Sequence, residues 1–350
     1  MSKKKIVVCH AQVPFVNGGA ELLVDQLCVQ LRLRGYNVDS VKIPFKWYPK
    51  NEILNHAFTW RMIDLTESNG QKIDMVIGTK FPSYGIRHPN KVTWLVHQFR
   101  QVYDLFNTAH SDFTMNPNDL AIREAIKKFD EATLKESKKI FTIAQNTTNR
   151  LKNYNNIEGE TLYHPPKHIG KYYNEVYGDY ILSIGRLDKL KRIDLLVEAM
   201  KYTPKKVKCL IGGTGPEEDQ LKKMVHKYGL EDRVHFLGFV DDQKLLELYA
   251  KCFSVYYAPF DEDYGYITLE AFLSKKPVIT SQDSGGVLEF VKDGINGHIS
   301  APIPEKIAEK IMMLYDKRHS NTVDMGQEGY DLVKFITWDY AIDKLTETLK

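Results

Sequence analysis

Short runs rich in β-branched and aromatic residues alternate along the chain with longer stretches whose apolar side chains recur at helical spacing. The short runs predict strands at Lys5–Cys9, Asn37–Ile43, Met75–Gly78, Val92–His97 and Ile140–Ala144 in the first half. In the second half they predict strands at Tyr180–Ile184, Val207–Ile211, Val234–Leu237, Ser254–Tyr257, Val278–Thr280 and His298–Ile299. Of the helical stretches, Ala20–Arg34 sets Leu22, Leu23, Gln26, Leu27, Gln30 and Leu31 at i, i+3, i+4 spacing. Ala121–Ser137 does the same with Ile122, Ile126, Phe129 and Leu134. Both stripes read as core faces. The alternation is that of βα units around a parallel sheet, an α/β class.

The pattern breaks at Tyr163-His164-Pro165-Pro166-Lys167-His168. Paired prolines exclude a continuing helix or central strand, so this stretch reads as a linker between two α/β halves. Two such halves are expected to face a cleft from the C-terminal ends of their sheets, the end at which open α/β sheets take ligands. No internal repeat or low-complexity segment interrupts this organisation.

Composition narrows the partners. The 350 residues suffice for two domains, and 43% hydrophobic with 27% charged residues describes a soluble globular chain. Lys and Arg number 48 against 45 acidic residues, a net +3 too small to argue for nucleic acid. No apolar run is long enough to span a bilayer. Met1-Ser2-Lys3-Lys4-Lys5 runs straight into an apolar strand, without the apolar stretch and cleavage site of a secretory signal. Cys9, Cys28, Cys209 and Cys252 are scattered in apolar segments, as reduced, buried thiols of a cytoplasmic protein would be.

Three glycine turns are expected to lead into helices: Asn17-Gly18-Gly19-Ala20-Glu21, Gly212-Gly213-Thr214-Gly215-Pro216 before Glu217–His226, and Ser284-Gly285-Gly286 before Val287–Val291. Glycine permits close backbone approach, and a helix N-terminus offers N–H groups to phosphate. Each is also readable as a plain turn. None has the spacing of a P-loop or a dinucleotide fingerprint, so neither an NTPase nor an oxidoreductase is supported. Arg186 ends the strand Tyr180–Ile184 and Lys191 stands at the mouth of the next helix. A forked guanidinium and a point-charge ammonium at one strand end suit a diphosphate, although a solvated basic turn has the same residues. Glu262, in a loop, and Glu270, on the early turns of the helix that follows, can face one site. Carboxylates accept paired hydrogen bonds from hydroxyls, so the two suit a sugar and a ribose. For Glu270 an ordinary solvated helix position is the other reading. Asp261-Glu262-Asp263 also spells D-x-D, a metal-chelating pair in other transferases. That reading is set aside because Arg186 and Lys191 already supply positive charge.

In this order the residues resemble glycosyltransferase family 4, the retaining enzymes of the GT-B fold. The resemblance runs through Gly185-Arg186-Leu187 with Lys191, Gly213-Thr214-Gly215-Pro216, Val234-His235-Phe236-Leu237-Gly238, and Glu262 to Glu270 with Gly265 and Leu269. It continues through Pro277-Val278-Ile279, Gly285-Gly286 with Glu289, and Gly294 with Gly297. The first half is matched more loosely, through Gly18-Gly19-Ala20-Glu21, Val96-His97 and the stretch ending Ile140–Ala144. Trp338 resembles the family's closing segment, where a last helix returns to the first domain.

The resemblance implies two Rossmann-like, doubly wound domains. An acceptor-side domain covers 1–164 and is joined by the helix 336–350, and a donor-side domain covers 168–335. It implies retaining transfer from a nucleotide sugar to a glycan or lipid-linked acceptor, with no metal and no cofactor. Arg186 and Lys191 would neutralise the diphosphate, Glu262 would contact the donor sugar, and His97 would reach the reacting region. Glu270 would hold the ribose, and Gly238-Phe239-Val240 would border the base. The implied donor-binding set also takes in Gly18, Gly19, Gly213, Gly215, Tyr264, Gly265, Tyr266, Ile267 and Leu269. No nucleic acid is implied. Lipid-linked acceptors, with Lys127, Lys128 and the basic residues at 135–139, raise peripheral contact with the inner face of a membrane. Departures include Arg192 in place of the usual glycine, read as one more cation near the phosphates, and Asp263-Tyr264 before Gly265. A sugar-nucleotide epimerase, a phosphorylase and a non-catalytic sugar-binding protein of the same fold are the alternatives.

Overall fold

The structure is a computed structural model that describes residues 3–16 and 18–350. The chain divides into two compact units, residues 1–167 with 337–350, and residues 168–336.

In the first unit, β1 (Lys5–Gln12), α1 (Gly19–Leu33), β2 (Asn37–Pro44) and α2 (Glu52–Met62) are followed by the small hairpin β3 (Glu67–Ser68) and β4 (Gln71–Lys72). Then come β5 (Met75–Gly78), β6 (Lys91–Leu95), α3 (Pro117–Leu134), β7 (Lys139–Thr142), α4 (Gln145–Asn155) and β8 (Glu160–Thr161). The main sheet is parallel, in the order β2-β1-β5-β6-β7-β8. β5 and β6 are buried along their whole length, as strands covered on both faces must be. Even Lys91 is fully buried there, its ammonium donating to Tyr84 O at 3.0 Å and Thr133 O at 2.7 Å and paired with Glu136. α3 starts where Asn116 accepts the Asp119 N–H at 2.9 Å, with Pro117 in the first turn. The predicted stripe of α1 is shifted by one position. Leu23, Val24, Leu27, Cys28 and Leu31 are buried, whereas Leu22 is exposed.

The second unit runs β9 (Tyr180–Ile184), α5 (Ile193–Met200), β10 (Lys208–Gly212), α6 (Glu218–Lys227), β11 (Val234–Gly238), α7 (Asp242–Lys251), β12 (Ser254–Tyr256) and α8 (Tyr266–Leu273). It ends with β13 (Val278–Ser281), β14 (Gly297–Ser300), α9 (Pro304–Asp316) and α10 (Asn321–Val333). Its sheet is parallel in the order β11-β10-β9-β12-β13-β14. The helix expected at Val287–Val291 is only a 3₁₀ turn at Gly286–Glu289. α11 (Trp338–Leu345) belongs to the first unit, where the Trp338 ring lies 6.1 Å from His164 and 6.2 Å from Trp94.

Candidate functional site

Each sheet has one place where the chain, having built outward on one side, returns to build on the other. Loops diverge there at the C-terminal strand ends and leave a crevice for a ligand. In the second unit this switch point lies between β9 and β12, and in the first between β1 and β5.

Gly185, at φ +140°, turns the chain out of β9. The Gly185 N–H donates to Gly212 O and the Leu187 N–H to Thr214 O, both at 3.0 Å. A Cβ on Gly213 would stand 1.9 Å from Gly185 O, and one on Gly215 2.2 Å from Leu187 O. The glycines of the second turn are therefore needed because two backbones pass closely there, and they brace the loop that carries Arg186. Asp188 then accepts the Lys191 N–H at 3.2 Å and closes the turn that presents Lys191.

The Lys191 ammonium forms an ion pair with Glu262 and lies 3.3 Å from the Tyr257 hydroxyl, which itself donates to Glu262 Oε2 at 2.8 Å. Burial works to raise the Glu262 pKa, but the Lys191 ammonium outweighs it and holds the carboxylate below its ordinary range. Burial likewise opposes the charge on Lys191, and the Glu262 carboxylate beside it raises the ammonium's pKa well above the usual value. Arg186 is 62% exposed, with its Nε 3.8 Å from Asp188 Oδ2, beyond hydrogen-bonding reach.

Arg192 corrects the sequence reading. It sits at φ +50°, and its guanidinium donates to Ala258 O, Pro259 O, Ser281 Oγ and both oxygens of Asp283 at 2.6–2.9 Å. It ties the β12 and β13 loops together and is not a further cation for phosphate.

The third glycine turn fastens the acidic loop. The Gly286 N–H donates to Glu262 O at 2.8 Å, and a Cβ on Gly286 would stand 2.3 Å from Asp263 O. Gly265, at φ +85°, starts α8. Tyr264 is buried against the rings of Tyr266 and Phe290, with centroids at 5.6 and 5.7 Å. Leu269 is fully buried in the core. The side chains of Tyr264 and Leu269 are thus turned inward, while the Ile267 side chain reaches toward Gly185.

Glu270 is not a solvated helix residue. Tyr172 donates to its Oε1 at 3.1 Å and Tyr249 to its Oε2 at 2.8 Å. Burial raises its pKa, and the two phenol donors oppose that rise. Nearby, His168 Nε2 lies 3.1 Å from Asp242 Oδ1. Beyond β11, Gly238 at φ +64° leads to Phe239, whose ring is 84% exposed, while Val240 packs over Gly212.

At the first unit's switch point the groups are buried. The Gly18 N–H donates to Glu21 Oε2 at 2.9 Å, so the helix N-terminus already carries a carboxylate from its own first turn. Lys80 donates to Glu21 Oε1 at 2.8 Å, and His10 Nε2 lies 3.2 Å from the same oxygen. His10 Nδ1 lies 3.0 Å from Thr79 Oγ1. Burial acts to raise the Glu21 pKa, but His10, Lys80 and the Gly18 N–H overcome it and hold the carboxylate far below its ordinary value. Burial lowers the His10 pKa. Gly19 opens α1, and Asn17, expected in this turn, lies outside the described residues. His97 follows β6, with Nδ1 2.8 Å from Gln98 O.

Sequence reasoning did not single out Tyr257, Tyr172, Tyr249, His10 or Lys80. The one signal available was the G-x-x-E spacing of Gly18 and Glu21, which is that of a capping box. A surface depression of about 480 Å³ lined by Arg61, Met62, Asp64, Arg87 and His88 lies on the N-terminal side of β6, away from both switch points. Among the described residues no cluster of three or more His, Cys, Asp or Glu is arranged to hold a metal ion. Among them, too, no helix is long and apolar enough to cross a membrane.

Residues 173–331 match the family model of glycosyl transferases group 1. Among curated proteins, the chain is 30% identical over 170 residues to the human alpha-1,3/1,6-mannosyltransferase ALG2, covering 44% of this chain and 40% of that one. It is 28% identical over 266 residues to the poly(ribitol-phosphate) alpha-N-acetylglucosaminyltransferase of Staphylococcus aureus, covering 72% and 50%. The matched stretches thus span half or less of these relatives. Among solved structures, sucrose-phosphate synthase from Thermosynechococcus elongatus superposes with a TM-score of 0.80 at 17% identity, covering 99% of both chains. Anabaena HepE, solved with UDP and glucose, superposes with a TM-score of 0.69 at 16% identity, covering 98% and 99%. The fold is the two-domain α/β GT-B fold. The family model lies within the second unit, residues 168–336.

Proposed function

We propose that the chain is a retaining hexosyltransferase of family 4, moving a sugar from a nucleoside-diphosphate sugar to a glycan or lipid-linked glycan acceptor without a metal. The observation that carries the proposal is the Lys191–Glu262–Tyr257 cluster at the switch point of the second sheet, with Arg186 on the adjoining loop. An incoming diphosphate takes Lys191 and Arg186 as charge-assisted partners, and its charge grows as the leaving group departs. Glu262 then turns its acceptor oxygens to donor-sugar hydroxyls, Glu270 takes the ribose hydroxyls, and the exposed Phe239 ring with Val240 borders the base. His97 and the turn at Gly18 and Gly19 lie on the same side of the first unit's own sheet. The bond from the anomeric carbon to the phosphate oxygen breaks, and the acceptor oxygen bonds to that carbon on the same face. The departing phosphate takes the acceptor proton, so no protein nucleophile is assigned. Two facts support the reading: the relatives named above are α-transferases by name, and the Anabaena structure holds UDP. A cytoplasmic site is part of the proposal. So is peripheral contact of exposed Lys128, Lys135 and Lys138 with an anionic membrane.

The test is a panel of nucleotide sugars scored for thermal stabilisation, nucleoside-diphosphate release and, with glycan acceptors, the anomeric configuration of the product by NMR. One donor that stabilises the protein and yields an α-linked product from an α-linked donor is expected. An inverted product, or free epimerised sugar with no acceptor consumed, would overturn the proposal.

A further inference from the structure

Glu270 is held in an unusual way for a group proposed to grip a ligand. Both of its oxygens receive phenol hydroxyls, from Tyr172 at 3.1 Å and from Tyr249 at 2.8 Å. Tyr249 is fully buried on α7, and Tyr172 lies in the segment that precedes β9. The two rings meet edge to face with centroids 6.2 Å apart, and Tyr172 meets His168 at 6.3 Å. We propose that Tyr172 and Tyr249 are positioning residues that keep the Glu270 side chain a fixed, ionised acceptor for a vicinal diol. The inference rests on the proposal that Glu270 receives the ribose of a nucleotide.

The argument begins with acceptor capacity. An ionised carboxylate offers about four lone-pair sites. Two phenols occupy two of them and leave one on each oxygen, the arrangement a ribose needs for its two adjacent hydroxyls. A protonated carboxyl turns one oxygen into a donor and loses that symmetry. Charge is therefore required, and burial works against it. The groups facing Glu270 divide accordingly. Tyr249 and Tyr172 lower its pKa by donating to the charged form, His168 favours that form through its charge, and Asp242 at the start of α7 opposes it. Tyr266 on α8 itself also feels the Glu270 charge. α10 meets α8 beside Phe272, where a Cβ on Gly329 would stand 2.4 Å from the ring. The phenols are the only direct donors to Glu270 among the described residues, so removing one hydroxyl while keeping its ring shifts the balance toward the protonated form.

Tyr249→Phe and Tyr172→Phe are compared with wild type by calorimetric titration of UDP and GDP from pH 5.5 to 9. The tighter nucleotide is used, and circular dichroism checks the fold. Each variant is expected to bind about tenfold more weakly at pH 6.5, from the loss of one hydrogen bond to a charged group, and to recover at pH 9. The acid limb of its affinity profile lies at higher pH than that of wild type. Tyr172 is only half-buried, so that variant remains informative if Tyr249→Phe folds poorly. A loss of equal size at every pH, or a profile superposing on wild type, overturns the inference. The Glu270 carboxyl is also titrated by ¹³C NMR in unliganded protein, assigned by its absence in Glu270→Gln. Its midpoint is expected to rise in Tyr172→Phe, and an unchanged midpoint overturns the inference with no nucleotide involved. If Glu270→Gln binds nucleotide as wild type does, the ribose assignment itself fails, whatever the tyrosine variants show.

Discussion

A lysine–glutamate pair stands at the switch point of each sheet, Lys191–Glu262 in the second unit and Lys80–Glu21 in the first. Burial separates them. Lys191 and Glu262 side chains are 23% and 20% exposed, against 10% and 7% for Lys80 and Glu21. The first pair is further enclosed by His10 and the Gly18 N–H, which take two more of the acceptor sites of Glu21. An accessible pair can exchange its partner for a ligand, because water and phosphate can replace each half as the other leaves. An enclosed pair cannot do so without leaving a buried charge. On the function proposed above, the same two residue types make a binding device in one sheet and a brace in the other.

The largest expected effect breaks the brace. Glu21→Ala leaves the Lys80 ammonium and His10 buried without a carboxylate, and should lower the unfolding free energy by about 3–5 kcal/mol. Glu262→Ala leaves the Lys191 ammonium in partial contact with water and should cost less than that. Urea unfolding of the two variants compares them directly, and equal losses would erase the distinction between the pairs.

A second enclosed carboxylate sharpens the same point through pH. Asp130 is fully buried and accepts from Tyr84 and Tyr103 at 2.7 Å each. Burial pushes its pKa up to about 7, against about 3.9 in an unfolded chain. Between those values the folded chain holds a proton that the unfolded chain has released, so stability falls as pH rises. The contribution is complete below about pH 4 and lost as pH rises through about 7. Asp130→Asn removes this titration. Its unfolding free energy should change less between pH 5 and pH 8 than that of wild type, and matching slopes would contradict the assignment.

The smallest expected effect is none. If Lys191 and Arg186 supply the positive charge at the diphosphate, EDTA should leave transfer unchanged. Activity abolished by EDTA and restored by manganese would make Asp261 and Asp263 metal ligands instead.

The two pairs were unequally legible in the sequence. Lys191 and Glu262 lie in an ordered run of strand-end motifs, so their types and spacing drew notice although they are 71 positions apart. Lys80 and Glu21 are 59 positions apart, and Lys80 sits in no motif, so nothing but the folded sheet joins them. Strands Met75–Gly78 and Tyr180–Ile184 are found as predicted, because each is a short, mostly apolar run bounded by polar or glycine turns. The edge strand β8 and the hairpin β3–β4 are two residues per strand and carry no periodicity to read. The turn Ser284-Gly285-Gly286 predicts a helix at Val287–Val291, but after the Gly286 N–H engages Glu262 O the chain makes only a 3₁₀ turn. Arg192 shows the limit most plainly. A cation beside a proposed phosphate clamp invites a phosphate role, and only its acceptors, Asp283, Ser281 and two backbone carbonyls, reveal a structural one.

The central claim is that the donor diphosphate is received at the accessible pair. The direct measurement is calorimetric titration of nucleoside diphosphate into wild type, Lys191→Ala and Lys80→Ala, with turnover measured on the same samples. Loss of one charge-assisted contact at the phosphate should weaken binding or turnover of Lys191→Ala by about 30- to 1000-fold. Lys80→Ala should lose stability while the protein that remains folded binds nucleotide as wild type does. Undiminished binding and turnover in Lys191→Ala, with nucleotide affinity lost in Lys80→Ala, would place the donor at the other switch point and contradict the account.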